Sequence, residues 1–245
     1  MRVYSKSDIG LKRNSNQDYC KTGAFPDGSV WAVVCDGMGG ANGGCTASRV
    51  AAETIADGLV DSYRSDMNEE EIKKILNDTV QNANKTVYDI AAKDESLYGM
   101  GTTVVCCIVK DNQIYIVHAG DSRAYLCNGD TLFQITTDHS MVQEMVSAGQ
   151  ITPEEARNHP NRNIITRALG IEAELCIDYT TVGFEEDSVL ILCTDGLSNY
   201  ITEESLMYYI RNYSGEEVTE KLIESAKELG GSDNITVAVI SAELS

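Results

Sequence analysis

A run of strand-forming residues that stops on a carboxylate is the feature that most limits how this chain can fold. Val30 to Cys35 is apolar almost throughout; Asp36 ends the run, and Gly37, Gly39 and Gly40 follow at once. Glycines there let backbone crowd close, which suits a strand tip that carries a metal or phosphate site. Asp-Gly is also the commonest turn dipeptide, so a single such stretch does not decide between site and turn. Its recurrence favours the site. Leu190-Ile191-Leu192-Cys193-Thr194-Asp195-Gly196 repeats the pattern, and His118-Ala119-Gly120-Asp121-Ser122-Arg123 and Gly231-Ser232-Asp233-Asn234 set two more aspartates beside strand ends.

The 245 residues, 42% of them hydrophobic, suffice for one large core or at most two small domains. No internal repeat or low-complexity linker divides them, and one domain over residues 1–245 is expected. The longest uninterrupted apolar runs, such as Val104 to Val109, are strand-sized and too short to span a membrane. Met1-Arg2-Val3-Tyr4-Ser5 holds no apolar signal core, so a cytoplasmic location is expected. A formal net charge of −19 argues against nucleic acid and against an anionic membrane surface as partners. Carboxylates gathered in one place would account for part of that excess, and such a cluster needs cations. Of eight cysteines, Cys35, Cys106, Cys107, Cys176 and Cys193 fall in apolar strand-like runs, where a thiol serves as a small buried hydrophobe. None shows Cys-x-x-Cys spacing, which favours reduced thiols over a zinc ribbon.

Periodicity places strands at 2–9, 19–22 and 29–35, then helices at 45–63 and 70–92 with apolar residues at helical spacing. Four short strands follow at 102–109, 113–118, 122–127 and 131–135, joined in part by the tight turns Lys110-Asp111-Asn112 and Asn128-Gly129-Asp130, which reads as one antiparallel meander. His139 to Asn163 is polar, punctuated by Pro153 and Pro160, and expected to form a flap with short helical stretches at 141–148 and 153–157. Strands at 174–182 and 188–193, helices at 203–212 and 216–229, and a strand at 234–240 complete the chain. Paired helices without β-α-β alternation indicate an α+β domain with antiparallel sheets.

The aspartates offer oxygen ligands only, which select hard cations such as Mg²⁺ or Mn²⁺ rather than zinc. Converging carboxylates repel unless cations neutralise them. Two ions ~3.5–4 Å apart activate a bridging water and clamp both oxygens of an in-line phosphoryl displacement. The chemistry indicated is attack of activated water on a phosphoester.

In order along the chain stand Asp8-x-Gly10-x-x-Arg13-x-x-Asn16-Gln17-Asp18, Asp36-Gly37-Met38-Gly39-Gly40, Gly101-Thr102-Thr103, Gly120-Asp121-Ser122-Arg123, Asp195-Gly196-Leu197 and Asp233-Asn234-Ile235-Thr236. Singly weak but specific as an ordered set, they resemble the motif series of the metal-dependent Ser/Thr protein phosphatases of the PP2C (PPM) family, in particular its short bacterial members. The resemblance covers nearly the whole chain. It implies a four-layer α-β-β-α sandwich of two antiparallel sheets flanked by helix pairs, with metals in a cleft at one end. It implies that Asp36 bridges two Mn²⁺ or Mg²⁺ ions, that the Gly37 carbonyl completes one of them, and that Asp195 and Asp233 hold the other. Asp18 would act through bound water, Asp121 with Asp195 on a third, weaker ion, and Arg13 on the substrate phosphate, which its donor fork suits. Phosphoserine and phosphothreonine in proteins would be the substrates, a bacterial-type Ser/Thr kinase and its targets the partners in signalling, and a monomer the default state.

One departure stands out: Met38 occupies a position where many eukaryotic members carry His. A thioether donates no proton, so leaving-group protonation falls to bound water or another residue. The other reading of the chain, a non-catalytic binding module on the same fold, expects lost aspartates, and none is missing. His118 and His159 read as structural, His139 as an orienting hydrogen-bond residue, Arg123 as a packing or salt-bridge residue and Trp31 as core.

Overall fold

The computed structural model describes residues 1–242, with the side chains of Ala41 and Asn42 left aside. Two antiparallel sheets form its centre. One has the order β1 (Arg2–Asp8), β11 (Ile235–Ser241), β10 (Val189–Cys193), β7 (Arg123–Asn128), β8 (Thr131–Gln134). The other runs β2 (Asp18–Ala24), β3 (Val30–Met38), β5 (Val104–Lys110), β6 (Gln113–Ala119), β9 (Asp178–Gly183), with β4 (Gly101–Thr102) on the end of β3. Helices α1 (Gly40–Ser62) and α2 (Glu69–Lys93) cover the second sheet, and α6 (Glu203–Asn212) and α7 (Glu216–Glu228) cover the first. Three short helices, α3 (Met141–Ser147), α4 (Pro153–Arg157) and α5 (Asp195–Ser198), stand at the functional end.

Burial on both faces explains why the central strands read as apolar runs rather than alternations. Val30, Ala32 and Val34 of β3 point between the sheets, while Trp31, Val33 and Cys35 point at α1 and α2. Leu190 and Leu192 of β10 likewise face the other sheet, with Ile191 and Cys193 against α6 and α7. The α-β-β-α layering is therefore written into the sequences of the central strands. The α+β expectation holds.

The single meander does not. β5 pairs with β6 in one sheet and β7 with β8 in the other. Gly120-Asp121-Ser122 carries the chain across the sandwich. Both sheets bury both strand faces, so hydrophobic pattern alone could not reveal the crossing. The two hairpins themselves are as expected: the β5–β6 loop is Asp111-Asn112, with φ of 49° and 60°, the left-handed pair that the right-handed strand twist favours.

Several boundaries also differ. β3 continues through Asp36, Gly37 and Met38 because β4 pairs with Gly37 and Met38. α1 begins at Gly40, five positions earlier than the periodicity suggests; a Cβ on Gly44 would lie 2.7 Å from the Gly37 carbonyl oxygen, so glycine lets this first turn rest on the strand. Asp195 opens the short helix α5, an element the periodicity does not mark. β9 starts at Asp178, because residues 172–175 are held instead by Asn84 Nδ2 on the Glu172 carbonyl (3.0 Å) and Gln81 Nε2 on the Leu175 carbonyl (2.8 Å). In that irregular stretch Cys176 is exposed, contrary to the expectation of a buried strand thiol, whereas Cys35, Cys106, Cys107 and Cys193 are buried.

Asn112→Gly should be neutral or stabilising and Asn112→Ile destabilising by about 1–2 kcal/mol, because a β-branched side chain fits the left-handed region poorly. Urea denaturation of the two variants checks this.

Candidate active site

The functional side chains sit where strand ends from both sheets meet. Asp18 and Asp36 are direct cross-strand partners at the ends of β2 and β3. Below Asp36, its N–H donates to Thr103 Oγ1 (3.0 Å), and the Asp36 carbonyl accepts from Thr103 N–H (2.9 Å) and Thr102 Oγ1 (2.9 Å). Thr103 Oγ1 bonds in turn to Ser122 Oγ at 2.7 Å, which ties β3 to the crossing loop that carries Asp121. A Cβ on Gly120, at φ 110°, would lie 2.6 Å from Thr103, so only glycine lets that loop come so near.

From the other sheet come Asp195, on the first turn of α5, and Asp233, just before β11. Their backbones touch: a Cβ on Gly196 would fall 1.8 Å from the Asn234 carbonyl oxygen. Asn199 Nδ2 donates to Asp195 Oδ2 at 3.0 Å. Asn234 anchors the loop before β2, donating from Nδ2 to the Ile9 and Ser15 carbonyls (both 3.0 Å) and accepting at Oδ1 from Gln17 N–H (2.8 Å). The Gln17 carbonyl then accepts the Gly37 N–H at 3.0 Å. Arg13 rides on this loop and donates from Nη2 to Asp233 Oδ2 at 2.8 Å, with about half of the Arg13 side chain (49%) exposed. An ion pair so open to water contributes little, on the order of 1 kcal/mol or less, and can be exchanged for a competing anion.

Mutual repulsion marks the cluster. Burial, reinforced by Asp18, Asp195, Asp121 and Asp233, pushes the Asp36 carboxyl well above the usual range. Asp18 is pushed up to about 7 by burial, against the opposing hydrogen bonds from Thr236 and Thr194. Asp121 rises to about 8 through burial and the charges of Asp195 and Asp138, and burial followed by Asp233 raises Asp195. Asp121, Asp195 and Asp233 also line a cavity of about 620 Å³. Its far wall comes from the segment between β8 and β9, including Val146, Arg157 and Arg162. The 139–163 flap thus stands over the cleft, with α3 and α4 where helical stretches were expected.

The donor set fits a divalent cation. Asp18 Oδ2 accepts from Thr194 Oγ1 at 2.8 Å, but its Oδ1 is buried with no hydrogen-bond partner. An orphaned carboxylate oxygen facing like charges is a costly arrangement that a hard, oxygen-seeking ion relieves.

All six positions predicted as ligands are thereby brought to one end of the sandwich: Asp18, Asp36, Gly37, Asp121, Asp195 and Asp233. Arg13 reaches the cluster through Asp233. Two of the three histidines keep to structural roles: His118 Nε2 bonds the Thr137 carbonyl at 2.9 Å, and His159 Nδ1 accepts from Asn161 N–H at 3.1 Å. Arg123 pairs with Asp138 at 2.7 Å, and Trp31 is core. The sequence assigns no role to Thr194, Thr103, Ser122 and Asn199, which hold the aspartates; Thr103 and Ser122 stand inside the ordered motifs, while Thr194 and Asn199 are marked only by lying adjacent to, or one turn from, Asp195.

Comparison with known proteins bears on the family and the fold. Residues 12–229 match the family description "Protein phosphatase 2C". The chain is 36% identical to the serine/threonine phosphatase stp of Listeria innocua, over 100% of this chain and 97% of that protein. Its fold superposes on the S. agalactiae serine/threonine phosphatase with a TM-score of 0.92 and 30% identity, covering 99% of each chain. It is also similar to the catalytic domain of the serine threonine protein phosphatase PstP in complex with two manganese ions (TM-score 0.85, 33% identity, 97% of this chain and 96% of that one).

Carboxyls held protonated favour the fold at low pH; the stability they lend is complete below their ordinary value of 3.8 and lost as pH rises through about 7 to 8. In metal-free protein, Asp36→Asn should therefore stabilise by roughly 1–2 kcal/mol at pH 7.5, and by less at pH 5. Urea titrations in chelator at the two pH values measure that difference.

Proposed function

We propose, on the premise that this chain belongs to the protein phosphatase 2C family and is a serine/threonine protein phosphatase, that phosphoester hydrolysis takes place in the carboxylate cleft. The observation that carries this reading is the convergence of Asp18, Asp36, Asp195, Asp233 and Asp121 with an unpartnered buried oxygen among them. Asp36, with Asp18 and the Gly37 carbonyl on one side and Asp195 and Asp233 on the other, would hold two divalent ions; Asp121 with Asp195 would hold a third. Such ions supply a water acidic enough to be hydroxide at neutral pH, and charge to offset the phosphoryl oxygens. The solved complex of PstP with two manganese ions supports Mn²⁺, and the oxygen-only donors suit Mg²⁺ as well.

The chain's own groups do the rest. Arg13 exchanges its exposed bond to Asp233 for the substrate phosphate, presenting a planar fork that matches two phosphoryl oxygens. Thr102, Thr103 and Ser122 fix Asp36 from beneath, and Thr194 fixes Asp18. Met38, at the end of β3, has no proton to give, so the leaving serine or threonine oxygen draws its proton from water in the cleft or from another residue. The flap shapes the cavity wall and is where phosphoprotein substrates are distinguished. A chain acting as one domain and as a monomer, beside a bacterial-type Ser/Thr kinase whose products it reverses, completes the proposal. Eight unpaired thiols fit a reducing, cytoplasmic setting; among the described residues no helix is long and apolar enough to cross a membrane.

Hydrolysis of an aryl phosphate should require Mn²⁺ or Mg²⁺ and disappear in Asp36→Asn and Asp195→Asn, while His159→Ala keeps it. Wild-type rates in both aspartate variants would refute the assignment. Arg13→Ala should lower kcat/KM for a phosphopeptide about 10- to 100-fold, the worth of a charge-assisted bond to phosphate, and Arg13→Lys should recover part of it. Steady-state kinetics separates the three.

A further inference from the structure

His139 opens the flap, and four segments of chain meet on it. Its N–H donates to the Gly120 carbonyl at 2.9 Å, and Gly120 N–H donates back to His139 Nδ1 at 3.2 Å. Its carbonyl accepts Thr166 N–H at 2.8 Å, which brings the far root of the flap to the near one. On the other edge of the ring, Nε2 donates to Asp178 Oδ2 of β9 at 3.2 Å. Because Nδ1 is an acceptor, the ring proton resides on Nε2, and Asp178 fixes both tautomer and orientation. Arg167 Nη1 donates to the second Asp178 oxygen at 2.8 Å. Nη1 also lies 3.1 Å from Nε2, but two donors cannot bond each other, so both turn to the carboxylate. The His118 ring stacks on His139 at 4.6 Å and 10°.

His118, His139 and Asp178 are the one group among the described residues whose metal-capable atoms all lie within 4.8 Å of one another. A cation is already in place there: the Arg167 guanidinium bonds Asp178, and both rings have hydrogen-bond partners along the backbone or on that carboxylate. The group is built as a tie. What it ties is the loop Gly120-Asp121, since the Gly120 amide and carbonyl are both held by His139.

We propose that His139, oriented by Asp178, is a positioning residue for the phosphatase reaction, setting where Asp121 stands relative to the other aspartates. The inference rests on the reading of Asp121 as a cation ligand given above. His139 is itself buried at 6% exposure, with both ring nitrogens engaged by Gly120 and Asp178, so it acts through the loop and not on substrate.

The test is the Mn²⁺ concentration that half-saturates the protein, read by isothermal titration calorimetry without substrate and again as half-maximal hydrolysis of an aryl phosphate, measured for the full chain as wild type, His139→Gln, Asp178→Asn, Asp121→Asn and the doubles with Asp121→Asn. His139→Gln and Asp178→Asn should each raise that concentration about tenfold, as loss of a supporting hydrogen bond does at metal sites. In the Asp121→Asn background neither should raise it further. His139→Asn, whose Oδ1 can accept the Gly120 N–H, should restore most of the wild-type value. Equal fold-changes with and without Asp121 would overturn the proposal, as would an unchanged Mn²⁺ dependence in both His139→Gln and Asp178→Asn. Asp178 is 46% exposed at its side chain, so its variant serves if His139→Gln does not fold. A wild-type Mn²⁺ dependence in Asp121→Asn alone would instead remove the premise, and the proposal with it.

Discussion

Five aspartates that repel one another are held at one end of a sandwich whose strands are buried on both faces, and the rest of the molecule answers to that conflict. Burial raises the cost of each charge, and proximity multiplies it, as the upward shifts of Asp18, Asp36, Asp121 and Asp195 record. A fold that spends stability this way needs a rigid frame. The frame is the three-layered core, in which alternate residues of β3, β5 and β10 serve two layers each. It also needs close backbone approach at the strand ends, where Gly37 lies against Gly44, Gly120 against Thr103 and Gly196 against Asn234.

Much of this was legible in the chain. Apolar runs ending on Asp-Gly located β3 and β10 and the carboxylates they deliver, because a doubly buried strand carries no polar residues to blur its limits. The ordered motifs identified the family. What escaped has a common physical cause: information about partners far away in sequence. The crossing from β6 to β7 is invisible to periodicity since both sheets impose the same pattern. Arg13 meets Asp233 across 220 positions, and Thr194 meets Asp18 across 176. No local rule specifies either pair. The α1 start was misplaced because a Gly-rich segment has little helix propensity of its own, and here it is contact with β3 that makes it helical. Cys176 lies in a stretch whose pattern predicts a strand, which Asn84 and Gln81 prevent from forming.

The site also separates rigid from adjustable parts. Asp36 and Asp18 belong to paired strands and are braced by buried hydroxyls. Asp121 belongs to a loop braced through His139, and Arg13 to one braced through Asn234. Under the proposed function, substrate recognition falls to the exposed elements: the half-exposed guanidinium and the flap over the cavity. A hydrolase that must accept protein surfaces gains from this division, because the loops can vary while the carboxylate geometry stays fixed.

The central claim, that the carboxylate cleft is a cage for divalent cations, is most directly tested by anomalous diffraction from crystals grown in Mn²⁺. The proposal predicts two strong peaks beside Asp36, flanked by Asp18, the Gly37 carbonyl, Asp195 and Asp233. Peaks elsewhere, at His118, His139 and Asp178 for instance, with none at Asp36, would contradict it.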